Sequence, residues 1–141
     1  MKRKQRTEIL INGSGAVAAA LAQEIKERHE VTTVEEPNHG LVMVKVRETA
    51  QKSLFYLGEV LVTECKVRIG GRIGVGILKG DEPERAYDLA VIDAAYEAGL
   101  KETAAWTEAL LSEAGRIAEE RKAFAAGVLR TKVNFETMDT D

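Results

Sequence analysis

The chain has 141 residues, 45% hydrophobic but only 5% aromatic, with 20 Lys+Arg against 23 Asp+Glu for a net charge of −3. That length suits one domain, burying roughly 68–70% of the surface its unfolded chain would expose, around a core of Ala, Val, Ile and Leu. The charge balance provides no general basic field for nucleic acid, the single Cys65 excludes an intrachain disulfide and a thiolate metal cluster, and no run approaches the ~18 apolar residues that span a membrane.

At the start, Lys2, Arg3, Lys4 and Arg6 read as a solvated basic terminus. The apolar stretch Ala16–Ala22 is short, follows Glu8 and Asn12, and runs into Gln23, Glu24 and Lys26 with helical spacing. A secretory signal is therefore not expected, and a cytoplasmic location is. Thr7–Asn12 is a short apolar piece broken by Gly13-Ser14-Gly15, after which Val17, Leu21 and Ile25 repeat every four residues and predict a helix to about His29. The phrase Gly13–Ala18 follows Ile9-Leu10-Ile11 and has Glu35 and Glu36 about twenty residues on, which is the shape of a dinucleotide-binding fingerprint. A stand-alone nucleotide-binding module is thus an alternative function. The favoured reading is two short helices joined by a glycine-rich turn, because a dinucleotide fold needs a parallel sheet and the strands that follow read as antiparallel.

After a short extended run at Val31–Val34, Glu35-Glu36-Pro37-Asn38-His39-Gly40 reads as a turn. In Leu41–Glu48, Val42, Val44 and Val46 fall on one face and Lys45 and Arg47 on the other; Ser53–Gly58 is a second strand. In Val60–Ile69, Leu61, Thr63, Cys65, Val67 and Ile69 alternate with Glu64, Lys66 and Arg68, as expected of a sheet with one packed and one wet face. Matching this apolar set to that of Ile73–Leu78 requires a three-residue loop, Gly70-Gly71-Arg72, pairing Ile69 with Ile73, Val67 with Val75 and Cys65 with Ile77. Gly74 and Gly76 would then lie opposite Arg68 and Lys66 on the polar face, leaving a low surface on which a partner could dock.

Asp81 and Glu84 form a capping-box-like start, with Pro83 in the first turn, for a helix from about Glu82 to Ala98 that ends at Gly99. A second helix runs from near Thr103 to about Leu129. Along it Leu110, Ala114, Ile117, Phe124 and Val128 lie on one seam of alternating 4 and 3 spacing, with Arg121 occupying a place among them. Phe135 and Met138 follow in a tail and are apolar, so they join Lys66, Arg68, Gly74 and Gly76 as candidate partner contacts. Asp93 falls on the apolar stripe of its helix, between the angular positions of Ala86 and Leu89. It is expected to be a buried structural carboxylate paired with Arg121 or a strand-end amide. His29 and His39 stand apart in polar stretches, and neither a zinc site nor a Ser–His–Asp or Cys–His arrangement can be assembled from them. No catalytic or metal-ligating residue is assigned.

The expected architecture is α+β in one domain: a helical part at 1–30, an antiparallel sheet of about four strands at 31–80, two helices at 81–130 and a tail at 131–141. Several phrases, in order and spacing, cover nearly the whole chain. They are Thr7-Glu8-Ile9-Leu10, Gly40–Val44, Phe55–Cys65, Gly80-Asp81 with Ala86, Ala90–Ala94, and Thr131–Met138. Together they resemble the PhnG family, the G subunit of the bacterial carbon–phosphorus lyase core complex in phosphonate metabolism. The chain departs from that family at Asn134, Phe135 and Glu136, where the family usually has Asp followed by two aromatics. The resemblance implies a subunit that joins sister subunits H, I and J, with I its most direct partner, and the associated L protein. In that pathway an alkylphosphonate displaces adenine from the ribose C1′ of ATP, giving a ribose 1-phosphonate 5-triphosphate. ATP would be substrate of the complex, with no cofactor bound by this chain alone and the chemistry on larger partners. A non-catalytic homo-oligomeric scaffold is the third reading.

Overall fold

The computed structural model describes residues 1–47, 50 and 54–139, with backbone alone at 47, 54 and 129–139. Four helices and three strands run in the order α1 (Arg3–Asn12), α2 (Gly15–Arg28), β1 (Thr32–Arg47), β2 (Leu54–Ile69), β3 (Arg72–Lys79), α3 (Pro83–Glu97) and α4 (Glu102–Asp139). The strands form one antiparallel sheet in the order β1-β2-β3. The α+β class is as expected, with three strands in place of about four.

The difference arises at two predicted breaks. Pro37 does not turn the chain; it lies within β1, an edge strand, where a missing N–H need not cost a ladder bond. Register shifts between Thr33 and Glu35 and between Glu35 and Asn38 absorb it as bulges. The Asn38 amide donates to the Glu35 carboxylate at 3.1 Å and to the carbonyls of Glu36 and Glu64 at 2.9 and 3.2 Å, bridging the irregular stretch. Likewise Leu54–Gly58 and Val60–Ile69 join as one 16-residue strand, with a register shift opposite Val44/Lys45.

The β2–β3 connection also departs from expectation. Gly70 and Gly71 have φ of 56° and 82° and make a two-residue turn that pairs Ile69 with Arg72, Val67 with Gly74 and Cys65 with Gly76. Two positive-φ residues match the right-handed twist of a hairpin, and glycine adopts both at no steric cost. Gly74 and Gly76 therefore lie on the inner face beneath α3, not on the polar face. A Cβ at either position would come less than 3.0 Å from α3 backbone: Ala90 and Ala94 at Gly74, Ala86 and Ala90 at Gly76. Ala86, Ala90 and Ala94 repeat every four residues, so a row of alanines settles on a row of glycines. Layer separation, rather than matched apolar sets, decides the register.

The core is aliphatic as expected. Ile25, Val67, Cys65, Val91, Ile92 and Leu110 are fully buried between the helices and the inner sheet face. Burial pushes the Cys65 thiol up to about 11, so it is an inert small hydrophobe. The start of α3 is held from outside, because Asp81 makes no cap. The Thr63 hydroxyl of β2 accepts from Glu82 N–H at 3.0 Å and donates to the Gly80 carbonyl at 2.5 Å. Helix α4 continues through Asp139, across the segment expected to be a tail. Gly74→Val or Gly76→Val should destabilise the protein by about 1–3 kcal/mol or prevent folding. Gly15→Ala, where a Cβ meets open space, should stay within about 0.5 kcal/mol; urea unfolding of the three variants checks this.

Candidate functional site

Asp93 is buried, as its helical phase predicts, but Arg121 is not its partner. Its carboxylate accepts from Arg3 Nε and Nη2 at 3.0 and 2.6 Å, from Arg6 Nη2 at 2.8 Å and from the Val75 amide at 2.9 Å. The basic terminus is thus no free solvated arm: α1 turns Arg3 and Arg6 onto α3, and Arg6 is itself buried. Its guanidinium lies 4.2 Å from the centre of the Tyr96 ring, and Tyr96 meets Trp106 edge-to-face at 5.8 Å. Trp106 Nε1 then donates to Glu24 at 3.0 Å, tying α4 to α2. The spacing of Arg3 and Arg6 on one helical face was the available sequence signal for these partners.

The Gly13-Ser14 joint between α1 and α2 confirms the two-helix reading, and its backbone groups are already engaged. Arg85 donates through Nη2 to the carbonyls of Leu10, Ile11 and Gly13 at 2.8, 2.7 and 2.9 Å, capping the end of α1. The Ser14 hydroxyl accepts from Ala16 N–H, and Ser14 N–H donates to Glu113 of α4 at 3.0 Å. A carboxylate therefore stands beside the start of α2, next to where a pyrophosphate would have to bind. That electrostatic arrangement opposes nucleotide binding at Gly13–Ala18.

Nearby, a cleft of about 510 Å³ lies among α1, β3 and α3, bordered by Arg3, Arg6, Val75, Ile77 and Ile92. Both guanidiniums there are committed to Asp93. His29 pairs with buried Glu102 at 3.1 Å and His39 with Asp81 at 2.7 Å. Among the described residues no group of three or more His, Cys, Asp or Glu could hold a metal ion, and no helix is long and apolar enough to cross a membrane.

What the molecule presents is the outer sheet face, which no helix covers among the described residues. Lys66 and Arg68 are on it as expected, Lys66 paired with Glu35 and Glu64 at 3.3 and 3.5 Å. Gly74 and Gly76 are buried beneath α3 and cannot contribute to such a surface. Their neighbours take their place: Ile73, Val75 and Ile77 stand opposite Arg68, Lys66 and Glu64, with Ile73 and Ile77 exposed. β3 ends at Lys79, opposite Val62. Past that point β1 and β2 continue as a two-stranded ribbon, with Val42, Val46 and Phe55 exposed on the outer side and Leu41, Met43 and Leu61 on the other. A ribbon of two strands is marginal alone in water, and contiguous apolar exposure rimmed by charge marks an interaction surface. The alternation of isoleucine with glycine in Ile73–Ile77 was the overlooked signal that the apolar side faces outward. Phe135 and Met138 fall within α4, and their side chains lie outside the described ones.

Asp93→Ala should cost about 3 kcal/mol, because it leaves buried Arg6 and the Val75 amide without an acceptor. Arg3→Ala should cost less than Arg6→Ala, since the Arg3 side chain is 56% exposed and that of Arg6 6%; thermal and urea midpoints rank the three. Glu113 is held below its ordinary 4.5 by hydrogen bonds from Arg116 and the Ser14 amide, and Glu102 by a backbone hydrogen bond and then His29. With folded values lowered, this stabilisation is present above the unfolded value and is lost as pH falls through the folded one. Glu113→Gln should therefore flatten the loss of stability between about pH 5 and 3, measured as urea midpoints across that range.

A family model described as phosphonate metabolism protein PhnG matches residues 1–139. Over 139 residues the chain is 30% identical to the alpha-D-ribose 1-methylphosphonate 5-triphosphate synthase subunit PhnG of Rhizobium meliloti (strain 1021), covering 97% of this chain and 88% of that protein. The match spans both the helical layer with its Asp93 contacts and the uncovered sheet, and the chain belongs to the PhnG family.

Proposed function

We propose that this chain is the G subunit of a multi-subunit synthase that makes a ribose 1-methylphosphonate 5-triphosphate in phosphonate breakdown, and that it works in the cytoplasm. An oxygen of the alkylphosphonate forms a bond to the ribose C1′ of ATP, the C1′–N bond breaks, and adenine leaves with a proton. Sister subunits H, I and J, with I the most direct partner, and the L protein complete the assembly. This chain contributes structure and docking surface, and ATP is bound by the complex.

The observation that carries this reading is the uncovered apolar sheet face, extended by the ribbon, on a chain whose relative is named as a synthase subunit. Apolar side chains such as Ile73, Ile77, Val42 and Phe55 beside Lys66 and Arg68 have the make-up of an interface: an apolar centre with a charged rim. The nucleotide-module alternative meets the Glu113 carboxylate at the helix start it would need.

Adenine release from ATP and methylphosphonate should require this chain together with its sister subunits and be absent with the chain alone. Ile77→Asp and Phe55→Ser should weaken binding to the I subunit by roughly thirtyfold, the effect of losing an anchor of about 2 kcal/mol, while circular dichroism of the isolated chain stays unchanged. Titration against the I subunit tests this. Wild-type affinity in both variants would move the docking surface elsewhere, and adenine release by the isolated chain would overturn the division of labour.

A further inference from the structure

Among the described side chains of α4, burial along its seam inside this chain stops at Ile117. Leu110 is fully buried and Ile117 is 9% exposed, whereas Phe124 is 75% and Val128 50% exposed. Every residue from Ala118 to Val128 is exposed. The 4-3-4-3-4 spacing of Leu110, Ala114, Ile117, Arg121, Phe124 and Val128 does not change where burial stops, and it runs on in the sequence through Thr131, Phe135 and Met138. Such spacing keeps one row of side chains facing one neighbouring helix. α1 is that neighbour up to Ile117; beyond it, from Arg121 to Val128, the same row has none among the described residues. At the crossover a groove of about 420 Å³ lies between α1 and α4, lined by Ile9, Ala114, Ile117 and Arg121 among others.

We infer that the seam of α4 from Ile117 onward receives a helix of a sister subunit, one with its own 4-and-3 apolar row and an Asp or Glu placed to meet Arg121. The charge selects this occupant. Arg121 has no ion-pair partner among the described residues, and it sits in the row rather than beside it. A cation enclosed between two helices needs a carboxylate, and a single polar group at such a position sets register and partner. A second copy of this chain offers no carboxylate within the matching row, whose described members are Leu110, Ala114, Ile117, Arg121, Phe124 and Val128. In a parallel self-pair the two Arg121 side chains would meet, and in an antiparallel one Arg121 would face the apolar row of Ile117, Phe124 and Val128. This inference rests on the reading of the chain as an assembly subunit, and it adds an interface separate from the sheet face.

The test co-expresses the chain with its sister subunits and places a photo-crosslinking amino acid at Phe124. The expected adduct lies on a helix of a sister subunit, within a turn of an Asp or Glu. Phe124→Ser and Arg121→Glu should each weaken assembly tenfold or more while the circular dichroism and melting of the isolated chain stay as wild type. Replacing the partner's acid by Arg should restore assembly of Arg121→Glu. Normal assembly of both variants, or crosslinking of one copy to another, overturns the inference and leaves the functional reading intact. Failure of the wild-type chain to assemble with the sister subunits at all sinks the functional reading and this interface with it.

Discussion

The arrangement of the whole domain turns on one carboxylate. Asp93 projects from α3 and gathers Arg3 and Arg6 from α1 and the Val75 amide from β3, so three elements distant in sequence meet on two oxygens. An ionised group can be buried there because its acceptor sites are filled by charged and backbone donors. The contact with Val75 is possible only because Gly74 and Gly76, on either side of it, let α3 approach the strand closely. The glycine–alanine packing and the buried ion pairs are therefore one device: the first sets the layer spacing and the second locks it. From Arg6 the contacts continue through Tyr96 and Trp106 to Glu24, linking all four helices on the inner side.

That arrangement satisfies one face of the sheet and leaves the other bare. All four helices precede or follow the three strands in sequence, and the helical layer gathers on the face carrying Thr63, Cys65 and Val67. On a self-sufficient domain the opposite face would carry polar side chains. Here β3 places Ile73 and Ile77 there, because Gly74 and Gly76 take two of its inward positions beneath α3 and leave only Leu78 as an inward apolar side chain. The close inner packing and the apolar outer face are thus two consequences of the same strand sequence. A subunit of a larger assembly can accommodate both, since its neighbours cover what its own chain does not.

The joint at Gly13-Ser14 shows how a phrase resembling a phosphate loop can serve a structural purpose. A helix start offers unpaired N–H groups and a positive dipole end whatever ligand is at hand. In this fold the ligand is internal: Glu113 reaches across from α4, braced by Arg116, while Arg85 attends to the carbonyls at the end of α1. Both ends of the joint are neutralised by charged side chains from later in the chain.

The sequence by itself determined the class, the antiparallel sheet, the core position of Cys65 and the burial of Asp93. It also placed α3 within a residue or two of Pro83–Glu97 and marked the two short helices at the start. Those features follow from local backbone preference and from the period of apolar side chains, both written in consecutive residues. Tertiary structure decided what depends on distances between elements. It carried Pro37 inside an edge strand by way of bulges, set the Gly70-Gly71 turn, and turned Gly74 and Gly76 inward. It also gave Asp93 to Arg3 and Arg6 rather than Arg121. A strand's alternation says that its two faces differ but not which is inside; that choice belonged to the alanine row of α3, which approaches β3 closely only where Gly74 and Gly76 carry no side chain.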